Sequence, residues 1–179
     1  ERLRNLLLHI AVAAETADVV NEGQKRFAAF TKPSDLPSDI RDVVYYSGAR
    51  FGSDKDFIKL LDLYHATINA EDNDDLAAAL LTTRDKKHIA TLLGMIKTEV
   101  RLQDIIRWYA RLMSNHEARQ LTWQWLKDEW KWVRSTLEAN KTFDYIPRYA
   151  AQVFSHADEL AAYREFFEPI KDIVLLSRA

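Results

Sequence analysis

Residues 53–64, Ser-Asp-Lys-Asp-Phe-Ile-Lys-Leu-Leu-Asp-Leu-Tyr, contain the pattern that decides the fold class. The first four resemble a capping box, in which a hydroxyl residue starts a helix and a carboxylate three positions later folds back on it. Aspartate stands here where glutamate is more usual. Apolar side chains then recur at steps of three and four residues, at Phe57, Leu60, Leu61 and Tyr64. This is the period of an α-helix with one buried face.

The same period continues along almost the whole 179-residue chain. Only four glycines and four prolines occur, and the Asn-Gly dipeptide typical of β-hairpins is absent. We therefore predict an all-α fold of about ten helices. Predicted helices cover 2–15, 18–30, 37–52, a stretch after 53–56, a stretch from 71–75 onward, 86–97, 102–114, 116–139, 145–154, and a last stretch from a second capping box at 155–158 toward Pro169.

Short joints between successive helices favour antiparallel neighbours that stack in series. We predict an irregular HEAT-like α-solenoid, a superhelical array of about ten antiparallel helices, because no repeat of one fixed length is visible. The predicted domain spans residues 1–179. The chain starts inside an apolar helical pattern without a methionine and stops just after an apolar run, so we expect a fragment of a longer polypeptide.

Two predicted helices have apolar patterns that bear on packing. The eighth, 116–139, has two apolar stripes, and a helix with two such faces packs on both sides. We predict that it lies between neighbouring helices; docking of one face on a partner domain is the alternative. The first helix has one apolar face, made of Leu3, Leu6, Leu7, Ile10 and Ala14. The eighth has one stripe of Trp123, Leu126, Trp130, Val133 and Leu137, and a second of Leu121, Trp125 and Trp132.

Composition argues against several classes of function. The formal net charge is −2, from 25 basic and 27 acidic residues, whereas nucleic-acid-binding proteins usually show a basic excess or stripe. No apolar run approaches the roughly 20 residues that cross a bilayer. We therefore expect neither a nucleic-acid nor a membrane partner. The chain lacks cysteine, which excludes disulfides and thiolate metal sites and fits a cytoplasmic location.

Several short motifs follow one another in a specific order between residues 40 and 168. They are Val-Tyr-Tyr-Ser-Gly-Ala-Arg-Phe-Gly at 44–52, Tyr-His-Ala-Thr at 64–67, Asp-Leu-Ala-Ala-Ala-Leu at 75–80, Thr-Arg-Asp at 83–85, Val-Arg-Leu-Gln-Asp-Ile at 100–105, Asn-His-Glu-Ala-Arg at 115–119, Leu-Thr-Trp-Gln-Trp-Leu-Lys at 121–127, Glu-Trp at 129–130, and Asp-Glu-Leu at 158–160 leading to Phe-Phe at 166–167.

This order and spacing resemble the C-terminal helical domain of the aminopeptidase N and endoplasmic-reticulum aminopeptidase family. That family has a tyrosine–glycine–arginine–glycine helix end, then a Tyr-x-x-Thr helix, a leucine-rich helix with a threonine–arginine/lysine–acid turn, and an Ile-Arg-x-Gln-Asp-Val segment. One departure lies at 115–119, where the proline and glycine of the family's Asn-Pro-x-Gly-Arg are missing.

The resemblance implies a non-catalytic part of a zinc enzyme that releases N-terminal residues from peptides. Such a domain caps the active-site chamber and limits or positions the substrate tail. Its partners would be the catalytic domain of the same polypeptide and the peptide substrate, with zinc held in the parent enzyme. A free-standing α-solenoid adaptor that binds another protein is the alternative.

The residues that carry zinc chemistry in such peptidases are not predicted in this chain. A His-Glu-x-x-His helix brings two histidines to one metal, with the glutamate acting on the bound water. Here His116-Glu117 match the start of that motif, but Gln120 replaces the second histidine. The other histidines are far apart in sequence, so we expect no cofactor in this fragment. We expect His9 at the edge of the core, and surface or capping positions for the others.

Arginines are the candidate residues for binding the substrate tail, because a guanidinium can hold a carboxylate through two hydrogen bonds. Tyr145 is a further candidate, and Tyr45, Tyr46 and Tyr149 are expected at the same wall. The alternative is that the arginines bond helix-end carbonyls or exposed carboxylates. The candidate arginines are Arg50, Arg84, Arg101, Arg119 and Arg148.

Overall fold

A computed structural model of the protein describes residues 2–170, with side chains from residue 3 onward. Across this range the chain forms eleven α-helices and no β-strand, so the all-α prediction is confirmed. The helices are α1 Arg2–Ala13, α2 Ala17–Ala29, α3 Arg41–Phe51, α4 Asp54–Ala66, α5 Ala70–Leu80, α6 Lys86–Thr98, α7 Ile105–Ser114, α8 Arg119–Asp128, α9 Trp130–Leu137, α10 Tyr145–Val153 and α11 Ala157–Phe167. Short 3-10 helices cover Pro33–Asp35, Ser38–Ile40 and Glu168–Ile170.

Local capping sets several of these helix starts. At α4, the Asp56 carboxylate accepts hydrogen bonds from both the backbone N–H and the hydroxyl of Ser53, at 2.7 and 2.8 Å. The predicted second box lies one residue later than expected, because Glu159 rather than Asp158 accepts from the backbone N–H of His156. The α-helical part of the last stretch ends at Phe167, two residues before Pro169. The segment after residue 170 lies outside the described residues.

The prediction of one long helix over 116–139 is wrong. Glu129 leaves the helical conformation (φ −98°, ψ 11°) and separates α8 from α9. Its carboxylate also accepts a hydrogen bond from Lys97 at 2.8 Å. Both short helices still bury their apolar positions, including Leu126 in α8 and Val133 in α9. Sequence periodicity alone does not report such a break.

The chain forms two compact units, Glu1–His88 and Ile89–Ala179. In the first, helices pack in alternation: α1 contacts α2 and α3, α3 contacts α4 and α5, and α4 contacts α5. The central helix α3 buries Val43, Val44 and Tyr45 in the core, where Leu60 of α4 and Leu76 of α5 are also fully buried. Contacts that alternate between two rows of helices are the pattern of stacked helical hairpins.

In the second unit, α7 is the central helix. It contacts both α8 and α10, while α10 also contacts α11. An aromatic cluster surrounds Trp123 of α8, whose ring lies 5.3 Å from Phe154 and 6.0 Å from Phe167 between centroids. Trp123 itself is only 4% exposed, so this cluster is the core of the unit's C-terminal half. The contact of α7 with α10 departs from simple alternation, and the HEAT-like arrangement of the whole chain stays a prediction.

Candidate functional site

Two of the five candidate arginines meet at one cleft in the first unit. The cleft has a volume of about 330 Å³ and lies where the end of α3, the start of α4 and the loop between α5 and α6 come together. Arg50 comes from the last turn of α3, and Arg84 comes from the α5–α6 loop. Residues 34 positions apart in sequence thus share one wall because α3 and α5 pack side by side.

Arg50 is anchored at this wall by one hydrogen bond. Its Nη1 donates to the backbone carbonyl of Thr82 at 3.0 Å. Its Nε is buried and has no hydrogen-bond partner among the described residues. The guanidinium therefore has donors that the described contacts leave unused, and an anionic group is the partner that such donors favour.

Arg84 is held by two kinds of contact. Its guanidinium pairs with the carboxylate of Glu15 in the turn after α1, and lies 5.2 Å from the centre of the Phe51 ring. Glu15 has a positive φ of 57°, a backbone conformation that residues other than glycine rarely adopt. The Arg84 side chain remains 38% exposed, so it is accessible from solvent.

Two carboxylates and an imidazole also line the cleft, from Asp54, Asp85 and His88. The His88 ring stacks on Phe57 with centroids 3.9 Å apart and nearly parallel planes. Its Nε2 lies 3.1 Å from the Asp54 carboxylate. The carboxylate of Asp85 accepts hydrogen bonds from backbone N–H groups. These bonds, of which the one from Lys87 has the largest effect, lower the pKa of Asp85. The cleft thus presents both signs of charge.

The sequence analysis did not single out Asp54, Asp85 or His88 as site residues. Each lies at a helix start, where a carboxylate or imidazole is ordinarily explained by capping alone. Asp85 belongs to the Thr-Arg-Asp turn that contributes to the family resemblance. This turn is the signal in the sequence that could have identified Asp85 as a site residue. Only the packing of α3 against α5 brings that turn next to Arg50.

The remaining candidates lie in the second unit, at separate positions. The exposed Arg101 pairs with Asp104 at 2.7 Å. At the start of α8, the Nε of Arg119 donates to the backbone carbonyl of Met113 at 3.3 Å. Arg101 thus contacts a carboxylate and Arg119 a backbone carbonyl, each near the end of a helix. A role for either residue in binding a substrate stays a prediction.

Arg148 and Tyr145 form a small group at the start of α10. The Arg148 guanidinium lies 5.6 Å from the centre of the Tyr145 ring and 3.6 Å from the Asp144 carboxylate. Tyr145 is 39% exposed and stacks on Tyr149 with centroids 5.8 Å apart. This group offers an aromatic surface with a cation beside it, and its substrate role also stays a prediction.

The expectation that Tyr45 lines a wall is wrong. Tyr45 is fully buried in the first unit, and its ring packs 5.8 Å from that of Phe30. Burial raises the pKa of its phenol to about 12, so the group stays neutral. Tyr45 is part of the core because α3 is covered on several sides. Tyr46, its neighbour, is half-buried and packs near Phe51.

The histidines hold ordinary structural positions. His9, expected at the core edge, is half-buried and lies 2.6 Å from the Asp42 carboxylate. His116 is exposed, with its ring 3.7 Å from the Glu117 carboxylate. Among residues 3–170, no three or more His, Asp or Glu side chains are arranged to hold a metal ion.

None of the helices within residues 2–170 has both the length and the hydrophobicity that crossing a bilayer requires.

Fold and cleft together define an all-α domain with arginines at the wall of a polar cleft. The chain belongs to the family of ERAP1-like C-terminal domains, whose model matches residues 1–179. This confirms the family predicted from the order of the motifs.

Three relatives illustrate the similarity. Aminopeptidase N of Lactobacillus helveticus is 30% identical over 184 aligned residues, which cover 99% of this chain and 21% of that protein. Aminopeptidase N of Lactobacillus delbrueckii subsp. lactis is 27% identical, covering 98% of this chain and 21% of that protein. Aminopeptidase M1-B of Oryza sativa subsp. japonica is 29% identical, and the alignment covers 92% of this chain and 19% of that protein. The chain spans about a fifth of the length of these relatives.

Proposed function

We propose that this chain is the non-catalytic C-terminal helical domain of a zinc aminopeptidase that releases N-terminal residues from peptides. The observation that carries the proposal is the family match over the whole chain, together with relatives named aminopeptidase N. The catalytic domain, with its zinc ion, belongs to the rest of the same polypeptide, and a cytoplasmic location is part of the proposal. The domain caps the active-site chamber and positions the far end of the peptide.

The arrangement that we propose for this role is one irregular HEAT-like array over residues 1–179. The alternating contacts of α1 to α5 support it in the first unit. Helical arrays of this kind build long concave surfaces, which suits a wall around an extended peptide.

The cleft beside Arg50 supports the positioning role. A peptide ends in a carboxylate, and an arginine with unused donors binds that group through charge-assisted hydrogen bonds. Arg50 meets this requirement through its single bond to Thr82, and Arg84 lies at the same wall. Asp54 and Asp85 also line the cleft and repel negative charge, so the proposal places the peptide carboxylate at the Arg50 guanidinium.

The experiment that tests this function compares the purified chain with the full-length parent protein. We expect the parent to cleave an N-terminal amino acid from a chromogenic substrate and to contain zinc. We expect the chain alone to do neither, because its histidines and carboxylates do not form a metal site within the part that the structure describes.

Two results would overturn the proposal. Chelator-sensitive peptidase activity in the chain alone would mean that the domain holds a catalytic metal. An inactive, zinc-free parent would instead favour the protein-binding adaptor.

A further inference from the structure

An acidic side chain in the cleft beside Arg50 is open to solvent. Asp54, the first residue of α4, lines the cleft, and its side chain is 81% exposed. One of its oxygens lies 3.1 Å from Nε2 of His88. Within the part of the chain that the structure describes, no hydrogen bond or other ion pair involves this carboxylate. Its second oxygen is therefore available to a cation on a ligand.

The imidazole beside this carboxylate is held in place. The His88 ring stacks on Phe57 with centroids 3.9 Å apart, and its Nδ1 lies 3.3 Å from the Thr83 hydroxyl. The His88 side chain is only 14% exposed. Asp54 thus has a fixed neighbour, and a charge that is positioned in advance loses less conformational entropy when a ligand binds.

Asp85 adds a second negative charge at the cleft. Its carboxylate accepts hydrogen bonds from the backbone N–H groups of Lys87 and His88, at 2.7 and 3.3 Å. These bonds lower the pKa of Asp85, so it is an anion at neutral pH. Because they also hold Asp85 at the start of α6, Asp54 is the carboxylate that is more available to a ligand.

The two cations of the cleft are already assigned to other partners. Arg84 pairs with Glu15, and in the proposed function Arg50 binds the peptide carboxylate. Neither arginine is then left to balance the charges of Asp54 and Asp85. A positively charged group on the ligand balances them, whereas a neutral group displaces water from the carboxylates without replacing its hydrogen bonds.

We propose that Asp54 makes the cleft selective for peptides whose last residue is lysine or arginine. This inference rests on the proposed function and specifies its substrate. Such a residue has a carboxylate for Arg50 and, on its side chain, a cation for Asp54. The cleft volume of about 330 Å³ lies at the lower end of the range for small-ligand pockets, roughly 300–1,000 Å³, which suits one residue better than a longer segment.

The test uses the full-length parent and peptides of one length and sequence that differ only in the last residue. Lysine is compared with glutamate and with norleucine, which has the same four-carbon side chain without the ammonium group. kcat/KM is measured for each peptide in the unmodified parent, in Asp54→Asn and in Asp54→Lys. Asp62→Asn is the matched control, because Asp62 is an exposed residue of α4 that does not line the cleft. Thermal unfolding of each variant checks that it is folded.

We expect kcat/KM for the lysine peptide to be about fivefold above that for the norleucine peptide, the effect of one ion pair at an exposed carboxylate. The glutamate peptide should fall below the norleucine peptide. Asp54→Asn should remove most of the lysine advantage, and Asp54→Lys should place the glutamate peptide above the lysine peptide. Asp62→Asn should leave the advantage unchanged. Equal values for the lysine and norleucine peptides would overturn the proposal, and so would a lysine advantage that survives in Asp54→Asn.

A binding measurement separates failure of this selectivity from failure of the proposed function. The same peptides are labelled and blocked at the N-terminus, and their affinities for the parent are compared by fluorescence anisotropy. An active, zinc-containing parent that treats all last residues alike refutes the selectivity alone. An inactive, zinc-free parent refutes the proposed function, and the affinities then still decide whether Asp54 favours a basic last residue.

Discussion

Two aspartates in the first unit have carboxyl groups whose pKa values shift in opposite directions. Burial acts to raise the pKa of Asp42, but hydrogen bonds from His9 and Asn5 outweigh it and leave the pKa lowered. The pKa of Asp75 is raised, chiefly by burial and then by nearby carboxylates, beginning with Asp42. Asp42 is stabilised as an anion by its partners, whereas the charge on Asp75 is a cost to the folded state.

We predict that Asp75→Asn stabilises the protein at neutral pH. A carboxyl with a raised folded pKa favours folding below its unfolded pKa, and that advantage disappears as pH rises through the folded value. Removing the charge should increase the free energy of unfolding at pH 7 by up to about 1 kcal/mol, because the group is only half-buried. Urea unfolding at pH 7 and near pH 4 measures this gain, which should shrink at the lower pH. The matched control is Asp62→Asn on the exposed side of α4, with no expected change; a loss of stability in Asp75→Asn at pH 7 would contradict the prediction.

The ion pair between His9 and Asp42 predicts a second pH dependence. The hydrogen bond to Asp42 is the main cause of the raised pKa of His9. The stabilisation by protonated His9 is therefore complete below its unfolded pKa of 6.5 and is lost as pH rises through the higher folded value. His9→Gln should lower the free energy of unfolding near pH 6 by under about 1 kcal/mol, since the imidazole is 37% exposed. Unfolding curves from pH 5 to 9 should show this difference shrinking toward high pH, and a constant difference would argue against a charge-dependent pair.

At the scale of elements, helices α2 and α3 approach each other closely at two glycines. A Cβ atom built on Gly48 of α3 would lie 2.3 Å from a carbon of the Phe27 ring in α2. A Cβ atom on Gly23 of α2 would lie 2.2 Å from the hydroxyl oxygen of Ser47. Phe27 is only 2% exposed and has little room to move. Both glycines are thus required by space, not by backbone conformation.

We predict opposite effects for two glycine-to-alanine substitutions in helices. Gly48→Ala should lower the free energy of unfolding by about 1–3 kcal/mol, because overpacking outweighs the gain in helix propensity. Gly94→Ala in α6 should raise it by up to about 1 kcal/mol, since a Cβ there has no neighbour within 4 Å. Thermal or urea unfolding of the two variants side by side measures the contrast. A Gly48→Ala protein as stable as Gly94→Ala would mean that α2 and α3 can move apart at no cost.

At the scale of the whole molecule, the proposed function makes Arg50 a binding group for the far end of the peptide. The bond from Arg50 to Thr82 attaches the end of α3 to the α5–α6 loop, so the cleft is a fixed part of the first unit. A group of this kind affects only substrates long enough to reach it. The proposed role therefore depends on peptide length, not on the N-terminal residue that is released.

We predict that Arg50→Ala in the full-length parent lowers kcat/KM for long peptides about tenfold, corresponding to one lost charge-assisted hydrogen bond. A dipeptide-sized substrate should be cleaved as before, because it does not reach the cleft. Steady-state kinetics with peptides of increasing length and a common N-terminus provide the measurement. Arg26→Ala is the control, since Arg26 lies in the same unit and pairs with Glu22 along its own helix. Equal losses for short and long peptides would mean that Arg50 acts on folding and not on the substrate tail.

The sequence by itself determined the fold class, most helix positions and the family. These depend on local information: the three- and four-residue apolar period, the Ser53–Asp56 capping interaction and the order of short motifs along the chain. Even the break before Pro169 followed from the chemistry of one residue.

The tertiary structure alone decided which residues meet and which face outward. The break at Glu129 is not marked by glycine or proline, so periodicity predicted one continuous helix. The apolar face of α1 points away from its neighbours because the Asp42 carboxylate holds Asn5 and His9 on the inner side. Arg50 and Arg84 share a cleft only because α3 packs against α5. In each case the cause is a contact between residues distant in sequence, whose free energy is absent from any local pattern.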